Sequence, residues 1–315
     1  MKHSLFSIAL AFIFTTVSFA ADVPKTLVVM LDGARPDAIL MAKTPNINAI
    51  CDGSWANGYH GAYSFAAHTI KDAATVSAPN HTAIATGVTT SKNKVDSNKT
   101  YGKYVSEKTC ATYKNFLTRI KERDSEKKTA FVFSWKPDRV LVSDDNPCDI
   151  AIDGSDEANA KQLPAIINGT FESATWKKGT DIDAILYYID VPDHVGHSGG
   201  FSPPATTAKH TEYVRCFETI DGWFGTILDA IRKRSNFANE DWLIVITSDH
   251  GGWVGTHGPM RADNFTIPFI VSSKQVKQGE IIGQPCNTDA AVTALDHFGF
   301  DTDTMKKDGL LDGNV

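Results

Sequence analysis

Five short apolar runs, separated by segments with helical periodicity, constrain the fold of this 315-residue chain more than any other feature. Each run is rich in β-branched or aromatic residues and is apolar almost throughout, as expected for strands buried on both faces. Strands that alternate with helices predict an α/β fold with a mostly parallel central sheet and helices on both faces. The runs lie at residues 25–31, 129–134, 184–189, 242–247 and 267–271.

Three longer segments have the spacing of apolar residues that predicts helices. The sequence contains neither an internal repeat nor a low-complexity linker, and its length suits one large domain. We therefore expect residues 21–315 to form a single domain. The predicted helices span residues 156–168, 206–234 and 289–298.

Residues 1–20 are predicted to be a signal peptide rather than part of this domain. Lys2 gives the chain a basic start, residues 5–14 are apolar apart from one serine, and small residues end the segment at Ala20. This pattern is typical of a cleaved secretory signal, and the run is short for a spanning helix. We expect a secreted or periplasmic protein with no membrane span in the mature chain, although an uncleaved anchor would show the same pattern.

The net charge of −6, from 31 basic and 37 acidic residues, argues against nucleic acid as a partner. An acidic chain can still bind an anionic substrate, because bound cations reverse the local potential. The five cysteines are widely spaced without a CxxC pair, so a cysteine zinc site is not expected. Export would permit one or two disulfides and leave at least one thiol free.

Candidate ligands directly follow three of the predicted strands. Asp32 follows the first strand, residues 190–197 follow the third, and Asp249 and His250 follow the fourth. In open α/β sheets, sites form outside the carboxyl ends of the strands, so these residues should meet at one edge. Each segment alone could be an ordinary solvated loop, and the prediction depends on their number and their shared position.

The residue types at this edge suit a divalent cation. Asp193 and His197 lie in a loop punctuated by proline and glycine, and His257 adds an imidazole close behind the fourth strand. Carboxylates and imidazoles are good ligands for a borderline cation such as zinc. A single histidine is more often structural than a ligand, so only the three segments together predict a metal site.

Ser77 is the candidate nucleophile. Pro79 suits the first turn of a helix that continues through residues 83–86, so Ser77 would stand just ahead of the helix N-terminus. Free amide hydrogens and the helix dipole favour an anion there. Taken alone, the segment could equally contain a plain N-cap serine.

Together, and in this order, these segments resemble the alkaline phosphatase superfamily, nearest its type I phosphodiesterase/nucleotide pyrophosphatase-like branch. The resemblance covers nearly the whole mature chain. It implies a hydrolase that cleaves small-molecule phosphate esters, either monoesters or diesters or nucleotide pyrophosphate bonds, through a phosphorylated Ser77. The matching segments are residues 28–33, 44–47, 77–81, 192–197, 248–252, 257–258 and 267–270.

The resemblance also implies two divalent metal ions, usually zinc (Zn²⁺). Asn98 falls where that branch keeps an asparagine that hydrogen-bonds a phosphoryl oxygen. The branch often has threonine as the nucleophile, where this chain has serine, and the short spacing from His250 to His257 departs from some members. The implied ligands are Asp32, Asp249 and His250 with the Ser77 oxygen for one ion, and Asp193, His197 and His257 for the other.

The choice among substrates stays open at the level of the sequence. Lys136 and Arg139 resemble the cations that monoesterases of the superfamily use against the extra phosphate charge, although a solvated basic turn is the alternative. A sulfatase would need arginine four residues after the nucleophile, where this chain has His81. A non-catalytic metal- or phosphate-binding module is the remaining alternative, and the presence of Ser77 argues against it.

Overall fold

The computed structural model describes residues 22–202 and 208–315, and a central β-sheet organises them. Within this part of the chain the sheet has eight strands in the order β4-β3-β5-β1-β6-β7-β2-β8. The strands are β1 Val23–Leu31, β2 His60–His68, β3 Thr129–Phe133, β4 Ile150–Asp153, β5 Ala184–Ile189, β6 Glu240–Ser248, β7 Thr266–Ser273 and β8 Gly279–Glu280.

The sheet is mostly parallel, which confirms the predicted fold class. Strands β4, β3, β5, β1 and β6 run parallel to one another, whereas β7 is antiparallel to both β6 and β2. The sequence predicted a strand over residues 267–271, which β7 contains, and a sheet that is mostly rather than entirely parallel. β7 is buried along almost its whole length, and an apolar run records burial on both faces rather than strand direction.

Helices cover both faces of this sheet. The helices are α1 Pro36–Met41, α2 Pro45–Asp52, α3 Ser77–Thr86, α4 Thr90–Asn93, α5 Lys103–Ser106, α6 Thr109–Thr112, α7 Phe116–Arg123, α8 Asp156–Ile167, α9 Val191–Val195, α10 Ala208–Arg232, α11 Ala262–Phe265, α12 Asp289–His297 and α13 Thr302–Lys307. Short 3-10 turns occupy Asn98–Thr100, Lys136–Leu141 and Phe237–Asn239, and a π turn occupies Gly196–Gly200.

The alternation of side chains along β1 shows how two cores form. Leu27, Val29 and Leu31 face one core, which α2, α8 and α10 complete. Val28 and Met30 face the other core, which α3, α7 and α12 complete. Side chains of a strand point alternately to opposite faces, so a strand covered on both sides must be apolar throughout.

The predicted helices over residues 156–168 and 289–298 are confirmed as α8 and α12, and the helix predicted over residues 206–234 is confirmed as α10, although residues 206 and 207 lie outside the described part of the chain. The predicted signal peptide lies outside the described residues and stays a prediction. Among the described residues, no helix combines the length and the hydropathy that a bilayer crossing needs. All five cysteines lie in the described part of the chain and are free thiols.

The order of the parallel strands brings the candidate ligands together. Leu31, the last residue of β1, pairs with Ile189 at the end of β5 and with Ser248 at the end of β6. The residues that follow these three ends therefore meet at one edge of the sheet, as predicted. Asp32 and Asp249 are two of them.

A buried lysine lies near the opposite end of β1. The Lys25 side chain is 1% exposed, and its Nζ lies 3.0 Å from Asp183 Oδ1 and 2.9 Å from Asp181 Oδ2. Asp183 is also buried, whereas Asp181 is exposed. A buried charge is tolerated only when it is paired, so this contact should matter for stability.

Replacing Lys25 with methionine should destabilise the fold, because the buried carboxylate of Asp183 loses its closest buried partner. Breaking such a pair costs about 3 kcal/mol or more, and we expect about 2 kcal/mol here because Lys127 still contacts Asp183. Urea unfolding measures the change. Lys161→Met is the control, since it removes an exposed partner of Glu157 and should cost less than about 0.5 kcal/mol. Equal losses in the two variants would contradict the prediction.

Candidate active site

Asp32, Asp249 and His250 form a buried group at the carboxyl edge of the sheet, and their ligand atoms lie within 4.8 Å of one another. His250 Nε2 lies 3.3 Å from Asp32 Oδ1 and 3.2 Å from Asp249 Oδ2. Among the described residues, neither Asp32 Oδ1 nor His250 Nε2 has a hydrogen-bond partner. Buried polar atoms without partners are costly, and a cation between these atoms would satisfy them. The residues therefore fit a metal ion.

Asp193, His197 and His257 lie beside this first group. His197 Nε2 is 3.3 Å from Asp193 Oδ2, and His257 Nε2 is 3.7 Å from Asp193 Oδ1. Asp193 Oδ1 is a further buried atom with no hydrogen-bond partner in the described chain. The closest cluster around Asp193 contains His250 and His257, whose rings stack at 3.7 Å, so His250 lies between the two groups.

The three histidines present the same ring nitrogen to the site. In each, Nδ1 faces a backbone carbonyl, which can only accept, so Nδ1 carries a proton and Nε2 is the nitrogen that a neutral ring would offer to a metal. Metal-ligating histidines are oriented in this way. The carbonyls are Gly251 O at 2.8 Å for His250, Thr75 O at 2.8 Å for His257 and Gly255 O at 3.0 Å for His197.

The contact between His197 and His257 supports the same conclusion. Their Nε2 atoms are 3.1 Å apart, and both Nδ1 atoms already donate elsewhere. Burial and the neighbouring His250 lower the pKa of His257 to about 4, so its ring is neutral near pH 7. A proton or a metal ion between the two Nε2 atoms would relieve the repulsion that two lone pairs have at this distance.

Negative charge accumulates at this edge. Burial, together with the carboxylates of Asp32 and Asp249, raises the pKa of Asp193.

The close approach of Asp193 to the residue after Asp32 explains why glycine stands at position 33. Gly33 has φ of 66°, and a Cβ atom there would lie 2.9 Å from the Cα of Asp193. Only glycine adopts this conformation and leaves room for Asp193.

In the sequence, Ser77 lies between Thr75, which contacts the second ligand group, and His81, which contacts the first. It is the first residue of α3, so the predicted helix starts two residues earlier than Pro79 suggested. Two residues before it, Thr75 O accepts the His257 hydrogen bond. Four residues after it, His81 reaches Asp249. The positive end of the dipole of this ten-residue helix would stabilise an anion beside Ser77.

Asn98 is anchored beside the candidate nucleophile. Its Oδ1 accepts a hydrogen bond from the Ala78 amide at 2.9 Å. The short 3-10 turn Asn98–Thr100 is held by reciprocal hydrogen bonds between Ser97 and Thr100. Because the oxygen of the side chain is used by the backbone of α3, the NH₂ group stays free to donate to a ligand.

His81 is the site residue that the sequence did not identify as functional. It is completely buried, and its Nδ1 lies 2.8 Å from Asp138 Oδ1. Its Nε2 lies 3.2 Å from Asp249 Oδ2 and 3.4 Å from Asp32 Oδ2. Burial alone would lower the pKa of His81, but these three carboxylates raise it well above its usual value. His81 therefore places positive charge directly behind the first ligand group. Its position one helical turn after Ser77 was the available signal.

Lys136 and Arg139 lie exposed on the 3-10 turn Lys136–Leu141. Asp138 is the buried charged residue of this turn, and it accepts hydrogen bonds from His81 and, at 2.6 Å, from Tyr101. Within residues 22–202 and 208–315, neither Lys136 nor Arg139 forms a hydrogen bond or ion pair with a candidate ligand. Their role in binding phosphate stays a prediction.

Both the sequence and the fold of this chain match known proteins. A family model described as type I phosphodiesterase / nucleotide pyrophosphatase matches residues 26–257, which is more than half of the chain. A structure of murine ectonucleotide pyrophosphatase/phosphodiesterase 5 in complex with AMP is 12% identical, with a TM-score of 0.62 over 89% of this chain and 96% of that one.

Two bacterial structures have the same fold. The lipoteichoic acid synthase LtaP of Listeria monocytogenes is 14% identical, with a TM-score of 0.63 over 90% of this chain and 73% of that one. The phosphonate monoester hydrolase of Agrobacterium radiobacter is 13% identical, with a TM-score of 0.55 over 88% and 74%. The chain belongs to the type I phosphodiesterase/nucleotide pyrophosphatase family of the alkaline phosphatase superfamily, and it is a phosphoester hydrolase.

Proposed function

We propose that this protein hydrolyses phosphodiester or nucleotide pyrophosphate bonds with two divalent metal ions, of which zinc suits the ligands best, and with Ser77 as nucleophile. The observation that carries the proposal is the convergence of three carboxylates and three histidine Nε2 atoms beside the start of α3. Nitrogen and oxygen ligands of this kind favour zinc over calcium or magnesium. We also propose export of the chain, on the pattern of residues 1–20.

The ligands would divide between two ions. Divalent ions bound here would lower the pKa of a coordinated hydroxyl and neutralise charge on the phosphoryl group. His250 lies between the two groups, so we assign it by its closer neighbours Asp32 and Asp249. The sets are Asp32, Asp249 and His250 with Ser77 for the first ion, and Asp193, His197 and His257 for the second.

The residues of α3 and the adjoining turn would carry the chemistry. The Ser77 hydroxyl gives up its proton and its oxygen attacks the diester phosphorus, while the bond from phosphorus to the leaving oxygen breaks and that oxygen takes up a proton. This leaves Ser77 esterified to a phosphate that keeps the second ester group of the substrate. Water then attacks the same phosphorus and releases Ser77, so two displacements give retention. The Asn98 NH₂ group would donate to a phosphoryl oxygen during both steps, and the positive end of the α3 dipole would favour the negative charge there.

The charges around the site favour a diester. A phosphate monoester brings a second negative charge to the reacting phosphorus, and enzymes meet it with extra cations. Here Lys136 and Arg139 lie exposed, and the buried charge in the same turn is the Asp138 carboxylate, paired with His81. A monoanionic diester needs no additional cation, so we assign diesters and pyrophosphates as the preferred substrates.

Ser77→Ala should lower turnover by at least about 1,000-fold, as expected when the attacking group of a covalent mechanism is lost. The two metal ions should stay bound, because six ligands remain. Ser77→Thr is the matched control and should keep part of the activity, since it retains a hydroxyl. After an acid quench of a reaction with a diester, mass spectrometry should find the phosphoryl group, with the remaining ester substituent still attached, on the peptide that contains Ser77. Phosphate on Thr75 or Thr82, or near-normal turnover of Ser77→Ala, would exclude this nucleophile.

Elemental analysis after dialysis should approach two zinc ions per chain. His257→Ala should reduce the content to about one ion, because too few donors remain at the second group for tight binding. His60→Ala offers a control, as it removes an exposed histidine at the start of β2. A wild-type content near one, with calcium preferred, would indicate a sulfatase-like single-metal site instead.

Four p-nitrophenyl substrates test the assigned class on one zinc-loaded sample. Bis-p-nitrophenyl phosphate and the p-nitrophenyl ester of thymidine monophosphate should have higher kcat/KM than p-nitrophenyl phosphate, because a dianion needs extra cations and Lys136 and Arg139 are exposed in the described part of the chain. p-Nitrophenyl sulfate should be the slowest. A clear preference for the monoester would refute the diester assignment and restore the predicted role of Lys136 and Arg139.

A further inference from the structure

Arg35 connects the two loops that carry the ligands of the second group. It follows Asp32 by three residues and is 5% exposed. Its Nη1 donates to Phe201 O at 3.1 Å and to Gly252 O at 2.9 Å. Phe201 ends the segment that contains His197, and Gly252 begins the loop that leads to His257. One guanidinium nitrogen therefore ties both loops to the end of β1.

The guanidinium is itself held in place. Asp37 accepts from Arg35 Nε at 2.9 Å and from Nη2 at 2.7 Å, a bidentate contact that fixes the plane of the group. The Arg35 amide donates to the Tyr213 hydroxyl at 3.0 Å. Only Nη1 points at the loops, and it reaches both carbonyls from one position.

The Phe201 ring packs the same two loops against each other. It is completely buried, and added Cβ atoms at Gly196 and Gly252 would lie 2.2 Å and 2.4 Å from ring carbons. The two glycines are therefore required by the ring between them. His197 lies edge-on to this ring, with 6.0 Å between centroids.

The Phe201 carbonyl also links Arg35 to His197 through the turn at Val254 and Gly255. Besides Arg35, it accepts the Val254 amide at 3.2 Å. Val254 and Gly255 form a tight turn with φ of 48° and 74°, and a β-branched residue rarely adopts such a value unless its surroundings impose it. Gly255 O then accepts the His197 Nδ1 hydrogen bond that orients the ring.

We propose that Arg35 is a positioning residue for the second metal ion. Its hydrogen bonds to the carbonyls of Phe201 and Gly252 fix the position of the loop of His197 relative to the loop of His257. This inference rests on the proposed two-metal function. Without the guanidinium, the loops keep the Val254–Phe201 and His197–Gly255 hydrogen bonds but lose both hydrogen bonds that link their carbonyls to Arg35. The first group follows β1 and β6 directly, so it should be little affected.

Zinc binding by competition with a chromogenic chelator tests the role on the full chain. Arg35→Met should weaken one of the two zinc ions by about 10- to 100-fold, as typical for loss of an outer contact of a metal site, and leave the other near its wild-type affinity. Excess zinc should restore the second equivalent and part of the turnover. Arg35→Lys should weaken the same ion less, because a lysine can reach one carbonyl but not both.

Arg234→Met is the matched control. The Arg234 side chain is 8% exposed, pairs with Glu240 and Asp181, and donates to the Ile167 carbonyl, away from the site. It should destabilise the fold while both zinc affinities stay unchanged. Circular dichroism checks that the variants are folded, and Arg35→Lys provides the test if Arg35→Met does not fold.

The possible outcomes distinguish a failure of the proposed two-metal function from a failure of the positioning role of Arg35. A wild-type chain that binds fewer than two zinc ions would overturn the proposed function, and the positioning role with it. A two-ion wild type whose Arg35→Met and Arg35→Lys variants keep both affinities would overturn only the positioning role. Equal weakening of both ions in the Arg35 and Arg234 variants would show a general effect on stability and would also overturn it.

Discussion

Repulsion among buried carboxylates is the constraint on which this site depends. Asp32, Asp193 and Asp249 lie together at the carboxyl edge of the sheet, where water cannot fully screen them. Positive charge must be present for the three to coexist as anions. His81 supplies part of it from within the core, held by Asp138 on its far side. The remainder would come from cations at the unpaired oxygens and nitrogens, which is why an acidic chain can process an anionic substrate.

The part of the fold that carries the first ligand group could be predicted because its strands are central. β1, β5 and β6 are covered on both faces, so burial makes them apolar runs that end abruptly at polar ligands. β2 was not predicted, because it mixes small, polar and aromatic residues and carries a bulge between Ser64 and Ala67. β4 is a short edge strand with a half-buried pattern. Such strands are defined by their partners rather than by their own composition.

The sequence could predict those site residues whose role follows from their position directly after a strand. It could not predict which side chains contact each other across the fold. Asp138 and Arg139 are neighbours in one 3-10 turn, yet the carboxylate is buried against His81 and the guanidinium is exposed. A turn of three residues per repeat sends adjacent side chains in different directions, and only tertiary packing decides which one faces the core. The same limit concealed Arg35, whose partners are backbone carbonyls more than 150 positions away.

The two ligand groups therefore differ in what maintains them. Asp32 and Asp249 are placed by the hydrogen-bonded ladder between β1 and β6, where Leu31 pairs with Ser248. His197 and His257 are placed by loops, and their spacing depends on contacts among glycines, a buried phenylalanine ring and a guanidinium. Ladder positions are rigid and tolerate little change, whereas loop positions can be rebuilt with different lengths. The interval from His250 to His257 lies in such a loop, so the sheet does not fix its length.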